Sequence, residues 1–334
     1  MTHDFLLEIG TEEIPAGYLR PAGEHLRATL TAGLVERRID AASVTVHEAP
    51  RRLIARITGL NDRQPDLSKE VMGPPSKAAF APDGTLTKAG EGFARGQGVE
   101  PSALRRVDTP KGEYVAATVH VTGRPTADIL LEWLPDVVRG IPFPKTMKWR
   151  GESLRFARPI RWLVALLDAE VLPIQVETLR AGRATRGHRL VTPGPIEIES
   201  PGTMLTQLEG AGVIADFDAR RSRVVNEVKS AATAASARIV ADDDLVDEVT
   251  NLVELPTAVM GSFDPEYLEL PREVVITAMK AHQRYFAVEG TDGALKPNFI
   301  TVANGRWEDT SQVVAGNERV LRARLADARF YWDT

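Results

Sequence analysis

This sequence predicts an α+β fold of more than one domain, with mixed sheets, packed helices and a more helical C-terminal portion. Three observations carry that reading. The start runs strand–helix–strand–strand: Phe5, Leu7 and Ile9 alternate with Leu6 and Glu8, then Leu19, Leu26, Leu30 and Leu34 recur near helical spacing, and Ser43–Glu48 and Leu53–Leu60 follow as β-branched runs. The last third changes period, with helical patterns over Arg272–His282 and Val313–Trp332. The chain has 334 residues, enough for two or three domains at roughly 100–200 residues each.

Taken in order, the first strand is broken by Gly10-Thr11-Glu12-Glu13-Ile14-Pro15, and the first helix ends at Glu36-Arg37-Arg38. Residues 61–112 are punctuated by Gly73-Pro74-Pro75 and Pro82-Asp83-Gly84, which predicts a mobile, surface-lying segment with one short helix from Thr85 to Arg95. A strand follows over Val115–Val121. Next comes a helix over Pro125–Arg139 that buries Ile129, Leu130, Trp133, Leu134 and Val137. Residues 1–170 are taken as the N-terminal region and 171–334 as the second. In the second region Val171–Leu179 reads as a strand, and Pro201–Leu208 and Asp218–Ala237 as helices. The latter helix places Val224, Val225 and Val228 inside and Arg220, Arg221 and Arg223 outside. Arg284–Val288 and Phe299–Val302 read as strands. The final helix carries Val313, Val320, Leu321, Leu325 and Ala328 on one side and Arg319, Arg322, Arg324 and Arg329 on the other. It runs into Phe330-Tyr331-Trp332 without a cap, so the natural chain is expected to continue.

Hydrophobic content of 43% and charged content of 26% are ordinary for a soluble globular protein. The net charge is −5, so any nucleic-acid surface has to be local. The absence of cysteine excludes disulfides and thiolate metal sites and fits a reducing compartment. The acidic N-terminus does not suit a signal peptide, and the apolar runs fall short of the ~18 residues of a membrane span. A cytoplasmic location and no membrane partner are therefore expected.

The stretch from Phe143 to Leu167, FPKTMKWRGESLRFARPIRWLVALL, stands apart. Lys145, Lys148, Arg150, Arg155, Arg158 and Arg161 alternate with Phe143, Trp149 and Phe156, and a wholly apolar run, Trp162–Leu167, follows. Cations between flat rings suit a polyanion with stackable bases, because phosphates take the charge and rings take base faces. The competing reading is a solvated basic loop whose rings are core. A second basic group comprises Arg180, Arg183, Arg186, His188 and Arg189, with Gly182 and Gly187 to turn the backbone. Residues 242–273 reverse the sign, from Asp242 to Glu273 with Arg272 as the one cation, and are expected to lie away from any RNA face. No HExxH, GxxxxGK[ST] or GxSxG pattern occurs, and the six histidines do not pair. No metal site and no self-contained catalytic constellation is predicted.

Several phrases together resemble one family: EIGTEEIP (Glu8–Pro15), GPPSKAAF (Gly73–Phe80), TPKGEY (Thr109–Tyr114), FPKTMKW (Phe143–Trp149), RFARPIRWLVALL (Arg155–Leu167), GHR (Gly187–Arg189), MKAHQRYFAV (Met279–Val288) and GNERVLRARLADARF (Gly316–Phe330). They are similar to the N-terminal half of the β subunit of the bacterial heterotetrameric glycyl-tRNA synthetases. The resemblance implies an α2β2 ligase that joins glycine to tRNA(Gly). ATP and Mg²⁺ would be held by the separate α subunit and no cofactor by this chain. It also implies that a fragment of this extent is inactive by itself. The candidates for contact with RNA or the α subunit are Lys145, Lys148, Trp149, Arg150, Arg155, Arg158, Arg183, Arg186, His188, Arg189, Lys280, Arg284, Tyr285, Arg319, Arg322 and Arg324. Stacking on Trp149 or Tyr285 is one expectation, and turn or capping roles for Gln283, Asn317 and Glu318 are another. Two other functions stay open: a stand-alone RNA-binding module, and a self-sufficient enzyme with a carboxylate site in residues 242–273.

Overall fold

The computed structural model describes residues 2–149 and 153–334. Its first half is built on a five-stranded sheet in the order Glu170–Val171, Ile160–Leu167, Thr2–Thr11, Arg52–Asn61 and Ser43–Ala49. Thr2–Thr11 is central, and every residue from Phe5 to Thr11 is buried. The reason is that both faces of the sheet are covered. Phe5, Leu7 and Ile9 face the helices Ala16–Glu36 and Thr126–Arg139, packing on Leu19, Leu26, Leu130 and Leu134. Leu6 packs on the other face with Val164, Ile198, Met204 and Leu208. The leucines of Ala16–Glu36 recur at three to four residues or twice that, which turns one stripe to the sheet.

Residues 61–112 lie largely at the surface and include the expected short helix, but carry more strand than their Gly/Pro punctuation suggested. They contribute to a separate three-stranded sheet, Leu67–Pro75, Gly112–Val121 and Arg105–Thr109, closed by the helix Lys88–Gln97. Two glycines of this segment have specific structural roles there. A Cβ on Gly73 would lie 2.7 Å from the Phe93 ring, and Gly98 ends the helix in the left-handed region.

The chain between 171 and 215 packs against the first sheet, through Ile174 and Val176 on one face and Ile198 through Ala215 on the other. The second half forms its own four-stranded sheet only after that, in the order Arg238–Ile239, Phe286–Glu289, Leu295–Asn304, Pro256–Ser262. Helices Phe217–Ala234 and Asp243–Thr250 pack on one face, and Arg272–Gln283 and Ser311–Asp333 on the other. Strand pairings among the described residues are antiparallel, apart from an isolated parallel bridge from Val164 to Gly182.

The two halves meet along a polar seam. Arg220, expected on the outside of its helix, is fully buried. Its guanidinium donates to the carbonyls of Thr250, Ile214, Ala215 and Glu48, so it joins its own helix to the edge of the first sheet. Burial pulls its pKa down to about 10, still far above neutral, so the group stays charged. Most acids of 242–273 act as caps or ion-pair partners. Asp242 caps Asp243–Thr250, whose first-turn acids suit the helix dipole, and Asp247 and Glu248 hold Arg221 and Arg284. Among the described residues no cluster of three metal-ligating side chains occurs, and no helix is long and apolar enough to cross a membrane.

Candidate nucleic-acid interface

Glu8 is a carboxylate in the otherwise apolar strand FLLEIG, so it needs a buried partner. Arg52 supplies it. Arg52 sits opposite Gly10 across one strand pair, and Trp162 sits opposite Gly10 across the other. With no side chain on Gly10, the Arg52 guanidinium approaches to 5.5 Å from the centroid of the indole. It donates to Glu8 Oε1 (2.9 Å), Thr185 Oγ1 (3.3 Å), the Arg186 carbonyl (2.8 Å) and Glu254 Oε1 (3.1 Å). Glu8 and Arg52 are wholly buried and Glu254 is 1% exposed. Burial raises the Glu8 pKa, and the Arg52 charge opposes that shift.

Above this hub lies a second tier. Arg51 and Arg186 also approach the Trp162 ring, at 5.5 and 5.9 Å from its centroid. Arg51 is 8% exposed, meets Glu254 Oε2 only at 3.9 Å, and its Nε has no partner among the described residues. Burial lowers its pKa, with Glu254 opposing. At the surface Glu12 bridges Arg161 (3.3 Å) and Arg189 (2.9 Å), while Glu13 reaches Arg189 at 3.3 Å. Arg158 donates to the Glu13 carbonyl. The result is a cleft of about 300 Å³ whose walls carry Arg51, Arg161, Arg186 and Arg189 against the single carboxylate Glu12. Three of the phrases singled out in the sequence, EIGTEEIP, RFARPIRWLVALL and GHR, thus close on one place.

The remaining candidates fall into distinct settings. Lys145 and Lys148 are exposed, with no ion-pair partner among the described residues. Lys148 pairs with Arg155 across a short hairpin, and Arg155 folds back on the Thr146 hydroxyl and carbonyl. Trp149 packs partly against the first core and its indole N–H donates to the Phe156 carbonyl. Arg150 lies outside the described residues. Arg183 donates to the Ala169 carbonyl. His188 is 2% exposed. Its Nδ1 accepts from Leu190 N–H, so Nε2 carries the proton and donates to Asn304 Oδ1 across the seam. Tyr285 is buried, stacked on Phe299 and donating to Asn317 Oδ1, and burial pushes its phenol up to about 12. Neither His188 nor Tyr285 offers a surface to a base. Lys280 and Arg284 pair with Asp242 and Glu248. Arg319 and Arg322 stand exposed on the last helix, and Arg324 lies 3.9 Å from Asp327. Glu318 accepts from both Ser262 N–H and its hydroxyl, fastening that helix to the second sheet.

A family profile described as glycyl-tRNA synthetase beta subunit matches residues 5–334. The chain belongs to that family. Among relatives named glycine–tRNA ligase beta subunit, that of Geobacter sulfurreducens is 46% identical over 333 residues, covering 100% of this chain and 48% of the relative. The Myxococcus xanthus protein is 45% identical over 333 residues, covering 100% and 47%, and the Moorella thermoacetica protein 45% over 332, covering 99% and 48%. The chain therefore spans about half the length of the curated relatives it matches. Arg51, Arg52 and Glu254 were not among the candidates read from the sequence of this β-subunit family member. The signal available was the lone acid in FLLEIG, which demands a buried cation somewhere.

Proposed function

We propose that this chain is the RNA-holding and assembly portion of a glycine–tRNA ligase. In that reading the activation of glycine, with ATP and Mg²⁺, takes place on a separate α subunit. This chain contributes a cationic face that grips the tRNA backbone. The observation that supports it is the convergence of three family phrases on one arginine-lined cleft in a chain whose net charge is −5. Lys145 and Lys148, from the FPKTMKW phrase, are two further exposed cations without an ion-pair partner among the described residues. Such contacts position RNA without reading its sequence, because phosphates are alike at every nucleotide.

The test is tRNA binding by the α–chain complex across a salt series. Lys145→Ala/Lys148→Ala is expected to weaken binding and to flatten the slope of log K against log[salt], by about 0.7–0.9 for each phosphate no longer neutralised. Cognate and non-cognate tRNA should weaken alike. Unchanged binding and slope, with loss of α-subunit association, would assign the face to the α subunit and overturn the reading.

A further inference from the structure

The cleft above Trp162 is unevenly charged. Four guanidiniums line it and the one carboxylate in the lining is Glu12; Glu13 and Glu254 reach Arg189 and Arg51 from outside the lining, at 3.3 and 3.9 Å. Glu12 uses both oxygens, Oε1 on Arg161 and Oε2 on Arg189, the two-oxygen grip that a phosphate makes on paired guanidiniums. Its side chain is 35% exposed and forms no other ion pair among the described residues, so it can swing out to water. Arg186 has no carboxylate partner among the described residues and leans over the indole. Arg51 is the second, independent sign. It is nine-tenths buried, lines the cleft, and is underpaired: its closest carboxylate is 3.9 Å away and its Nε is unbonded among the described residues. A buried guanidinium left so is costly unless an anion completes it. Gly187, Thr192, Pro193 and Gly194 complete the lining without adding a charge.

We propose that this cleft is a phosphate pocket in which Glu12 stands in for the ligand while the protein is free. The incoming phosphate takes Arg161 and Arg189 from Glu12 and completes Arg51 and Arg186. The source of the phosphate is an RNA strand, and that part alone rests on the function proposed above. Glu12 thereby sets the affinity: it keeps two of the arginines turned into the cleft and competes with weak anions for them.

The experiment is calorimetric titration of the wild-type chain, Glu12→Gln and Arg186→Ala with two probes, inorganic phosphate and a short single-stranded RNA. Thermal melting of each variant confirms folding, since Glu12 and Arg186 lie outside the apolar cores. Glu12→Gln is expected to tighten phosphate binding at least fivefold and RNA binding in the same direction. Arg186→Ala is expected to weaken both at least tenfold. Glu12→Gln binding phosphate no tighter than wild type would overturn the proposal. RNA binding that persists and ignores all these changes would remove the pocket while leaving the broader RNA role intact. Phosphate bound with these effects, but RNA not bound, would keep the pocket and remove its RNA source and the function reading with it.

Discussion

Gly10 and Trp162 face each other across the central strand pair, and a Cβ on Gly10 would lie 1.8 Å from Trp162 Cε2. No side-chain adjustment of a few tenths of an ångström relieves that. Gly10→Ala is therefore expected to destabilise the fold by about 3 kcal/mol, the upper end of overpacking costs. It should also displace the indole from Arg52. Urea unfolding measures the first, and a stability equal to wild type would show that the indole moves freely.

The Arg52 hub carries a sharper expectation. Arg52→Ala removes the partner of Glu8 and Glu254 and leaves two carboxylates buried beside each other. The cost is expected at about 3–5 kcal/mol, the range for breaking a buried pair. A double-mutant cycle with Glu254→Gln should show strong coupling, with the double variant more stable than the sum of the two single effects implies. Additive effects would mean the two groups do not share their energy.

Glu289 gives the pH dependence. The hydrogen bond from Arg272 (2.6 Å), followed by that from Arg238 (2.7 Å), outweighs burial and holds its carboxyl below the ordinary value of 4.5. A depressed folded pKa contributes stability above the unfolded value, lost as pH falls through the folded one. The difference in Tm between wild type and Glu289→Gln should be constant at neutral pH and shrink on acidification below about 4.5. A difference that grows on acidification would contradict the assignment.

Tyr285 separates core from interface. Tyr285→Phe keeps the stack on Phe299 and removes the hydrogen bond to Asn317. It should cost about 1 kcal/mol and leave RNA affinity and its salt slope unchanged. A large loss of RNA binding in a stably folded variant would place the ring at the interface after all.

The elements of long, clean period were legible in the sequence: the central strand, the helix Thr126–Arg139 and the last helix lie where the pattern put them. So was the cationic character of the stretch around Phe143–Arg161. What stayed hidden were residues whose partners lie far off along the chain. Arg52 meets Glu8, Thr185 and Glu254 at separations of 44, 133 and 202 residues, and no local pattern announces such a meeting. Arg220 looked like a surface cation because charge usually means water; four carbonyls gathered from three segments replace that water. Gly73, read as punctuation, is a packing requirement set by Phe93, which only the fold brings near.

The topology of the first sheet has a consequence for the newborn chain. Thr2–Thr11 leaves the ribosome well before one of its two neighbours, Ile160–Leu167, is made. At a synthesis rate of roughly 5–20 residues per second, that edge waits on the order of ten seconds. An apolar strand with an open edge is a template for mispairing with other nascent chains. The sheet of Leu67–Pro75, Arg105–Thr109 and Gly112–Val121 lies entirely within the interval and needs no strand from later residues. All three of its strands are therefore synthesised while the first strand still lacks its second neighbour, Ile160–Leu167.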